Sequence, residues 1–127
     1  MNEAWNYRRG DIYLADLGKN IGSEQSGCRP VLTIQNNVGN HFGPTLIVAP
    51  ITSRVWKKTE QPTHCRLENL AFLNDFSMVL LEQITTIDKR HIKRYMGSLD
   101  ENQMSKVDVC IGVSLGLSEQ EIHIRQN

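Results

Sequence analysis

Between Asp11 and Pro50 the chain is interrupted every few residues by Gly, Pro or Asn, and no stretch before Leu99 carries the apolar spacing of a long helix. Parallel strands need a crossover of about a dozen residues or more, usually a helix. Without one, successive short strands must fold back on their neighbours. The pattern therefore predicts a strongly bent, barrel-like antiparallel sheet rather than a βαβ fold.

Asp11–Asp16 has a β-branched and aromatic start after Gly10 and reads as a first strand. Residues 18–29 are rich in Gly and Ser and poor in apolar side chains, so they read as a long loop. Pro30 holds Arg29 extended and residues 31–35 continue as a strand. Arg29 thus stands where a loop enters a sheet. Asn36, Asn37, Gly39 and Asn40 read as a turn, and Thr45–Thr52 as a strand. Pro50 lacks an N–H and calls for an edge, a bulge or a strand end. Residues 54–62 form a polar, basic connection, His64–Leu67 a short strand, and residues 77–86 a strand or bent pair. In that segment Val79, Leu80 and Leu81 break alternation, as in a fully covered strand or a bulge.

Residues 88–91 fit one helical turn and residues 94–99 a strand. Asp100 can cap a helix with Gln103 at its third position, and Met104, Val107, Ile111 and Leu115 form its apolar stripe. Gly112 and Gly116 each weaken that helix by about 1 kcal/mol relative to Ala, which suits an end near Gly116. The expectation is a mainly β chain of five or six strands with a C-terminal helix. At 127 residues it has room for one core and is read as a single domain, residues 1–127.

No apolar run approaches the roughly 20 residues that cross a bilayer, and MNEAWNYRRGD lacks the apolar core of a secretory leader. A cytoplasmic protein without a membrane partner is expected. Cys28, Cys65 and Cys110 are odd in number and widely spaced, which reads as reduced, structural thiols. The zero net charge works against nucleic-acid binding, where phosphate attraction dominates. The charge is unevenly spread, however: residues 1–66 carry eight Lys and Arg against five Asp and Glu, and residues 67–127 six against nine. That distribution leaves room for a local surface that binds anions.

Metal and nucleotide signatures such as HExxH, the P-loop and the dinucleotide glycine fingerprint are absent, and His41, His64, His91 and His123 are far apart. No metal or cofactor is expected. The guanidinium of Arg29 offers a rigid donor fork to a phosphodiester; it could equally tie the loop to a carboxylate such as Glu24. Thr52 and Ser53 set hydroxyls where a strand meets a basic loop, a place for a phosphate or simply for a turn. Arg54, Lys57 and Lys58 surround Trp56, which suits RNA stacking and equally a tucked aromatic. Glu82 and Gln83 can read base edges or hold backbone, with the structural role favoured for Glu82. His64 is more often a packing residue than a general base in such a position, and Tyr7, Tyr13 and Tyr95 read as core or interface.

The segments RRGDIYLADLG (8–18), GSEQSGCRPVLTIQN (22–36), GPTLIVAPITS (43–53), PTH (62–64), VLLEQITTIDK (79–89) and the terminal LDENQMSKVDVCIGVSLGL occur in order over nearly the whole chain. In them the sequence resembles the MazF/PemK/Kid family of toxin endoribonucleases, above all its Gram-positive branch. The resemblance implies an SH3-like, partly open barrel with added helices, a symmetric homodimer, and metal-independent cleavage of single-stranded RNA at a short preferred sequence. In that reaction the ribose 2′-OH attacks phosphorus, leaving a 2′,3′-cyclic phosphate and a 5′-hydroxyl. The arginine of the family's GxRP motif matches Arg29, and its strand-end hydroxyl residue matches Thr52. RNA contacts fall on Ser23, Glu24, Gln25, Ser53, Arg54, Lys57, Lys58 and Gln83. A MazE-like antitoxin with an acidic segment that folds on binding is the implied partner.

Two features depart from close relatives: Thr85 occupies a position where many carry arginine, and the loop at 54–61 is longer and contains Trp56. A catalytically silent dimer that binds RNA or antitoxin, and a gyrase-directed toxin on the same scaffold, are the competing readings.

Overall fold

The computed structural model describes residues 4–22, 24–53, 61–73 and 76–117. In chain order the elements are β1 (Asp11–Asp16), β2 (Cys28–Thr33), α1 (Asn37–Phe42), β3 (Thr45–Thr52), β4 (His64–Leu67), β5 (Ser77–Leu80), β6 (Thr85–Asp88), β7 (Ile92–Ser98) and α2 (Glu101–Ser114). The strands lie in the order β4-β5-β3-β2-β1-β7, with β6 also paired to β3. Every pairing is antiparallel. The sheet stays open, with β4 and β7 as its ends.

β3 is the hub, and Pro50 explains its shape. One edge of β3 pairs with β2. The other pairs with β6 from Thr45 to Val48, and with β5 at Ile51 and Thr52. Pro50 stands where this second edge passes from one partner to the next. The missing N–H falls where the sheet bends. Leu81–Gln83, a single 3₁₀ turn, joins β5 to β6 across the same bend.

Alternation along the central strands sends neighbouring side chains to opposite faces. Ile12, Leu32, Ala49 and Ile51 pack on one face with Val79 and Val107, and Tyr13, Val31, Val48 and Leu46 pack on the other with Tyr7, Ile87 and Ile92. Both faces are covered, which is why these strands read as nearly continuous apolar runs. Each fully buried Leu, Ile or Val contributes roughly 1.5–3 kcal/mol. α2 lies over the first face, with Val107 fully buried and Met104 and Ile111 packed around it.

The second face is closed by a polar chain that runs from buried Tyr13 and Asp11 to exposed Ser98 and Tyr95. Tyr13 Oη donates to Asp11 Oδ2 at 2.6 Å and accepts from Trp5 Nε1 at 2.8 Å. Ser98 Oγ donates to Asp11 Oδ1 at 2.7 Å and lies 2.7 Å from Tyr95 Oη. Asp11, 5% exposed, thereby ties the N-terminal segment, β1 and β7 together.

Among the described residues there are seven strands and two α-helices, against an expected five or six strands and one helix. The turn expected at 36–40 is the start of α1, where the Asn36 side chain accepts from Gly39 N at 2.8 Å. Gly39 inside so short a helix hides its periodicity. The 77–86 segment is a bent pair, with β5 buried at all four residues. The Asp100/Gln103 capping box forms as expected. Leu115 departs from the expected stripe: it follows the last helical residue and is 58% exposed.

Candidate functional site

The β1–β2 loop and the ends of β2 and β3 meet at one end of the sheet. β2 pairs with β3 from Val31↔Pro50 to Thr33↔Val48. Continuing that register two residues toward the loop brings Arg29 level with Thr52. Arg29 is half-buried, and its Nε donates to the Ser26 carbonyl oxygen at 2.7 Å. The loop is thus tied to Arg29 through backbone, not through Glu24, and no carboxylate pairs with this guanidinium among the described residues. Its terminal nitrogens are left to face a ligand.

Thr52 is 1% exposed and pairs with Met78 of β5, whereas Ser53 is exposed. Ser53 and Arg29 share a groove of about 320 Å³ with Pro30, Ile51, Phe72 and Met96. That size is within the range of ordinary ligand clefts. Phe72 forms a fixed wall because Gly97 of β7 lets its ring approach: a Cβ there would sit 2.4 Å from the ring.

A second groove, of about 520 Å³, opens from the same end and gathers Glu24, Gln25 and Gln83. Gln83 Oε1 accepts from Gln25 N at 2.8 Å, so β5–β6 clamps the β1–β2 loop. Asn20 Nδ2 donates to the Gln25 carbonyl oxygen from within the loop. The two grooves differ in charge. Asp16, Glu24, Glu82 and Asp88 line the second. Among the described residues no Asp or Glu lines the groove that holds Arg29. A phosphodiester is therefore favoured in the first groove and repelled by the second, which suits neutral groups carrying N–H donors.

Three of the four carboxylates have partners. Glu82 Oε2 lies 2.7 Å from His64 Nε2, Asp16 accepts from Gly18 N at 2.8 Å, and Asp88 pairs with Arg90 at 3.1 Å. The hydrogen bonds from Arg90 hold the Asp88 carboxyl below its usual range. The His64 side chain is 1% exposed and committed to Glu82, so it packs and positions, as expected for a residue of this kind. Cys65 is buried and Cys110 half-buried, and Cys28 is exposed. Burial, followed by the neighbouring Cys110, pushes the Cys65 thiol up to about 11. Among the described residues no three His, Cys, Asp or Glu side chains gather as a metal-ligand set. No helix there is long and apolar enough to cross a membrane.

Of the residues singled out from sequence, Arg29 and Ser53 line one groove and Glu24, Gln25 and Gln83 the other, whereas Thr52 is buried beside the first and does not line it. Ser23, Arg54, Lys57 and Lys58 lie outside the described residues, as does Trp56. Sequence reasoning missed Phe72, Met96, Asn20 and His91 as groove residues. They enter from turns and from β7, and no local pattern links them to Arg29.

Solved structures similar to this chain include toxins and endoribonucleases. An endoribonuclease in complex with its cognate antitoxin, from a mycobacterial species, aligns with TM-score 0.74 at 24% identity, covering 88% of this chain and 97% of that one. The Mycobacterium tuberculosis toxin MazF-mt6 aligns with TM-score 0.70 at 26% identity, covering 85% and 98%. MazF from Deinococcus radiodurans aligns with TM-score 0.72 at 22% identity, covering 88% and 98%. Residues 8–115 match the family model described as PemK-like, MazF-like toxin of type II toxin-antitoxin system. With that match over most of its length, and with the same open sheet and C-terminal helix, the chain belongs to the PemK-like, MazF-like toxin family.

Proposed function

We propose that the protein is a sequence-specific endoribonuclease that cleaves single-stranded RNA in the Arg29 groove without a metal. The carrying observation is the register that sets Arg29 level with Thr52 beside a groove free of carboxylates among its described residues. The nucleophile belongs to the substrate, so the protein has chiefly to orient the linkage and stabilise charge on phosphorus. The 2′-oxygen bonds to phosphorus as its proton leaves, the P–O5′ bond breaks, and the departing 5′-oxygen takes up a proton. The products are a 2′,3′-cyclic phosphate and a 5′-hydroxyl.

Arg29 supplies the charge stabilisation through nitrogens not used in its bond to Ser26. A planar, charged donor fork suits developing charge on phosphorus, so the role assigned to Arg29 is electrostatic. The hydroxyls of Thr52 and Ser53 hold the scissile phosphate. Ser53 lines the groove and Thr52 is buried, and cleavage by Thr52→Ala and Ser53→Ala apportions the work between them. Glu24, Gln25 and Gln83, with Ser23, Arg54, Lys57 and Lys58, contact RNA around the cut. The acidic groove takes base edges rather than backbone.

The protein is further proposed to act as a homodimer held by a cognate MazE-like antitoxin as one component of a toxin-antitoxin system. One relative is known in complex with its cognate antitoxin. Val109, Leu115 and Leu117, 68%, 58% and 78% exposed, supply apolar surface for a protein partner on and just beyond α2.

The test is incubation of wild type and Arg29→Ala with long mixed-sequence RNA in EDTA, followed by mapping of cut sites and end chemistry. Cuts with 5′-hydroxyl ends, lost in the variant, support the reading. An inert wild type that still binds RNA or antitoxin supports the silent regulatory dimer instead.

A further inference from the structure

We infer that Arg94 of β7 holds a second backbone phosphate of the RNA, so that the strand runs from the scissile linkage at Arg29 across β1 toward the edge of the sheet. This inference rests on the RNA-cleaving reading and extends it to a residue outside the groove.

The placement follows from register. Arg94 pairs with Leu14, and Leu14 pairs with Pro30. One cross-strand row therefore runs Arg94, Leu14, Pro30. Pro30 lines the Arg29 groove, and so does Met96, two residues beyond Arg94 on the same strand. Directly opposed residues of paired strands share a face, so Arg94 lies on the face of Leu14 and Pro30. Met96 stands at a bulge of β7 and lines the groove from there. Leu14 separates Arg94 from Pro30 with an apolar, half-buried side chain. Arg94 is thus two strand spacings from β2, about 10 Å. A short extended stretch of single strand, longer than one nucleotide step, bridges that distance.

Free charge separates Arg94 from three other cations nearby. Arg90 is spent on Asp88 through two hydrogen bonds from its guanidinium. Arg9 is spent on Asp108 and the Ile34 carbonyl oxygen, and Lys89 on the Asn40 carbonyl oxygen. Arg94 is exposed and has no hydrogen bond or ion pair to any described residue. β7 ends the sheet, so no further strand pairs along its outer edge among the described residues. A chain of zero net charge has little long-range attraction to offer RNA. Affinity must then come from individual cations beside the groove, and Arg94 is one left unneutralised in its row.

The experiment measures binding of random-sequence single-stranded RNA with 2′-O-methyl riboses, which lacks the nucleophile, by full-length protein in EDTA over a series of salt concentrations. Each phosphate contact contributes about 0.7 to the slope of log affinity against log salt for single strands. Arg94→Ala is expected to lower that slope by about 0.7, equivalent to about five-fold weaker binding at 0.1 M salt relative to a 1 M reference. Arg94→Lys should keep the slope, and Arg90→Ala should leave it unchanged. An unchanged slope in Arg94→Ala, with wild type binding and cutting RNA, overturns the assignment and leaves the cleavage reading standing. A wild type that neither cuts RNA nor binds it in a salt-dependent way overturns both.

Discussion

Arg29 Nε and the carbonyl oxygen of Ser26 are 2.7 Å apart, so the cation is anchored by the end of its own loop. The bond leaves the planar fork facing outward. Arg29→Ala should lower cleavage by at least about 10²–10³-fold, the cost of losing one donor to developing charge. Its melting curve should stay close to wild type. Arg29→Lys keeps a charge and loses both the fork and the anchor, so it should be intermediate. Single-turnover cleavage of a mapped site measures all three, and near-normal rates for purified Arg29→Ala would remove the site assignment.

Gln83 reaches back from the bend after β5 to accept from Gln25 N at 2.8 Å. Gln83→Leu should free the loop at a cost of about 1 kcal/mol, a typical hydrogen bond. Since this loop lines the acidic groove, which is proposed to take base edges, the expected change is in which sequences are cut more than in the rate at the best of them. Sequencing of cleavage ends from a random RNA pool reads it. An unaltered cut-site profile would show that the clamp has no part in recognition.

Tyr13→Phe removes the donor to Asp11 and the acceptor for Trp5. A buried carboxylate then loses one of its partners, and destabilisation of about 1–3 kcal/mol is expected in urea melts. Phe at this position with wild-type stability would mean that the chain of hydroxyls adds nothing.

Burial pushes Tyr13 and Cys65 above their ordinary values, the thiol from 9.0 to about 11. The folded protein therefore holds these protons more tightly than the unfolded chain does. Their stabilising contribution is complete below the unfolded values and is lost as pH rises through the folded ones. For Cys65 that window runs from about 9 to about 11. Denaturation midpoints should fall across it, and Cys65→Ala should flatten the fall. In the native protein at pH 8, a thiol reagent should modify exposed Cys28 well before Cys65, as peptide mapping would reveal.

Asp100 accepts from Gln103 N at 2.8 Å while Gln103 Oε1 accepts from Asp100 N at 3.1 Å. Asp100→Ala should cost about 0.5–2 kcal/mol. Thermal melts should register it without any change in RNA cleavage, because α2 lies away from both grooves.

Local chemistry was legible where it repeats along the chain. The bounds of β1, β3 and β4 and the Asp100 cap follow from alternation, turn residues and a spacing of three, each set by neighbours in sequence. Pro30 likewise marked Arg29 as an extended residue at a strand entry. The family's motifs then named Arg29 and Thr52 together, which no spacing between them could have done.

Tertiary structure decided the rest, because pairing register is a property of two strands at once. It set Arg29 level with Thr52, sank Thr52 while leaving Ser53 open, and aligned Arg94 with Pro30 through Leu14. It also divided one sheet end into a groove lined by carboxylates and another with none among its described residues, although the same chain has zero net charge. Charge counted along a sequence carries no direction; folding gives it sides, and only then does it select where a phosphate can lie.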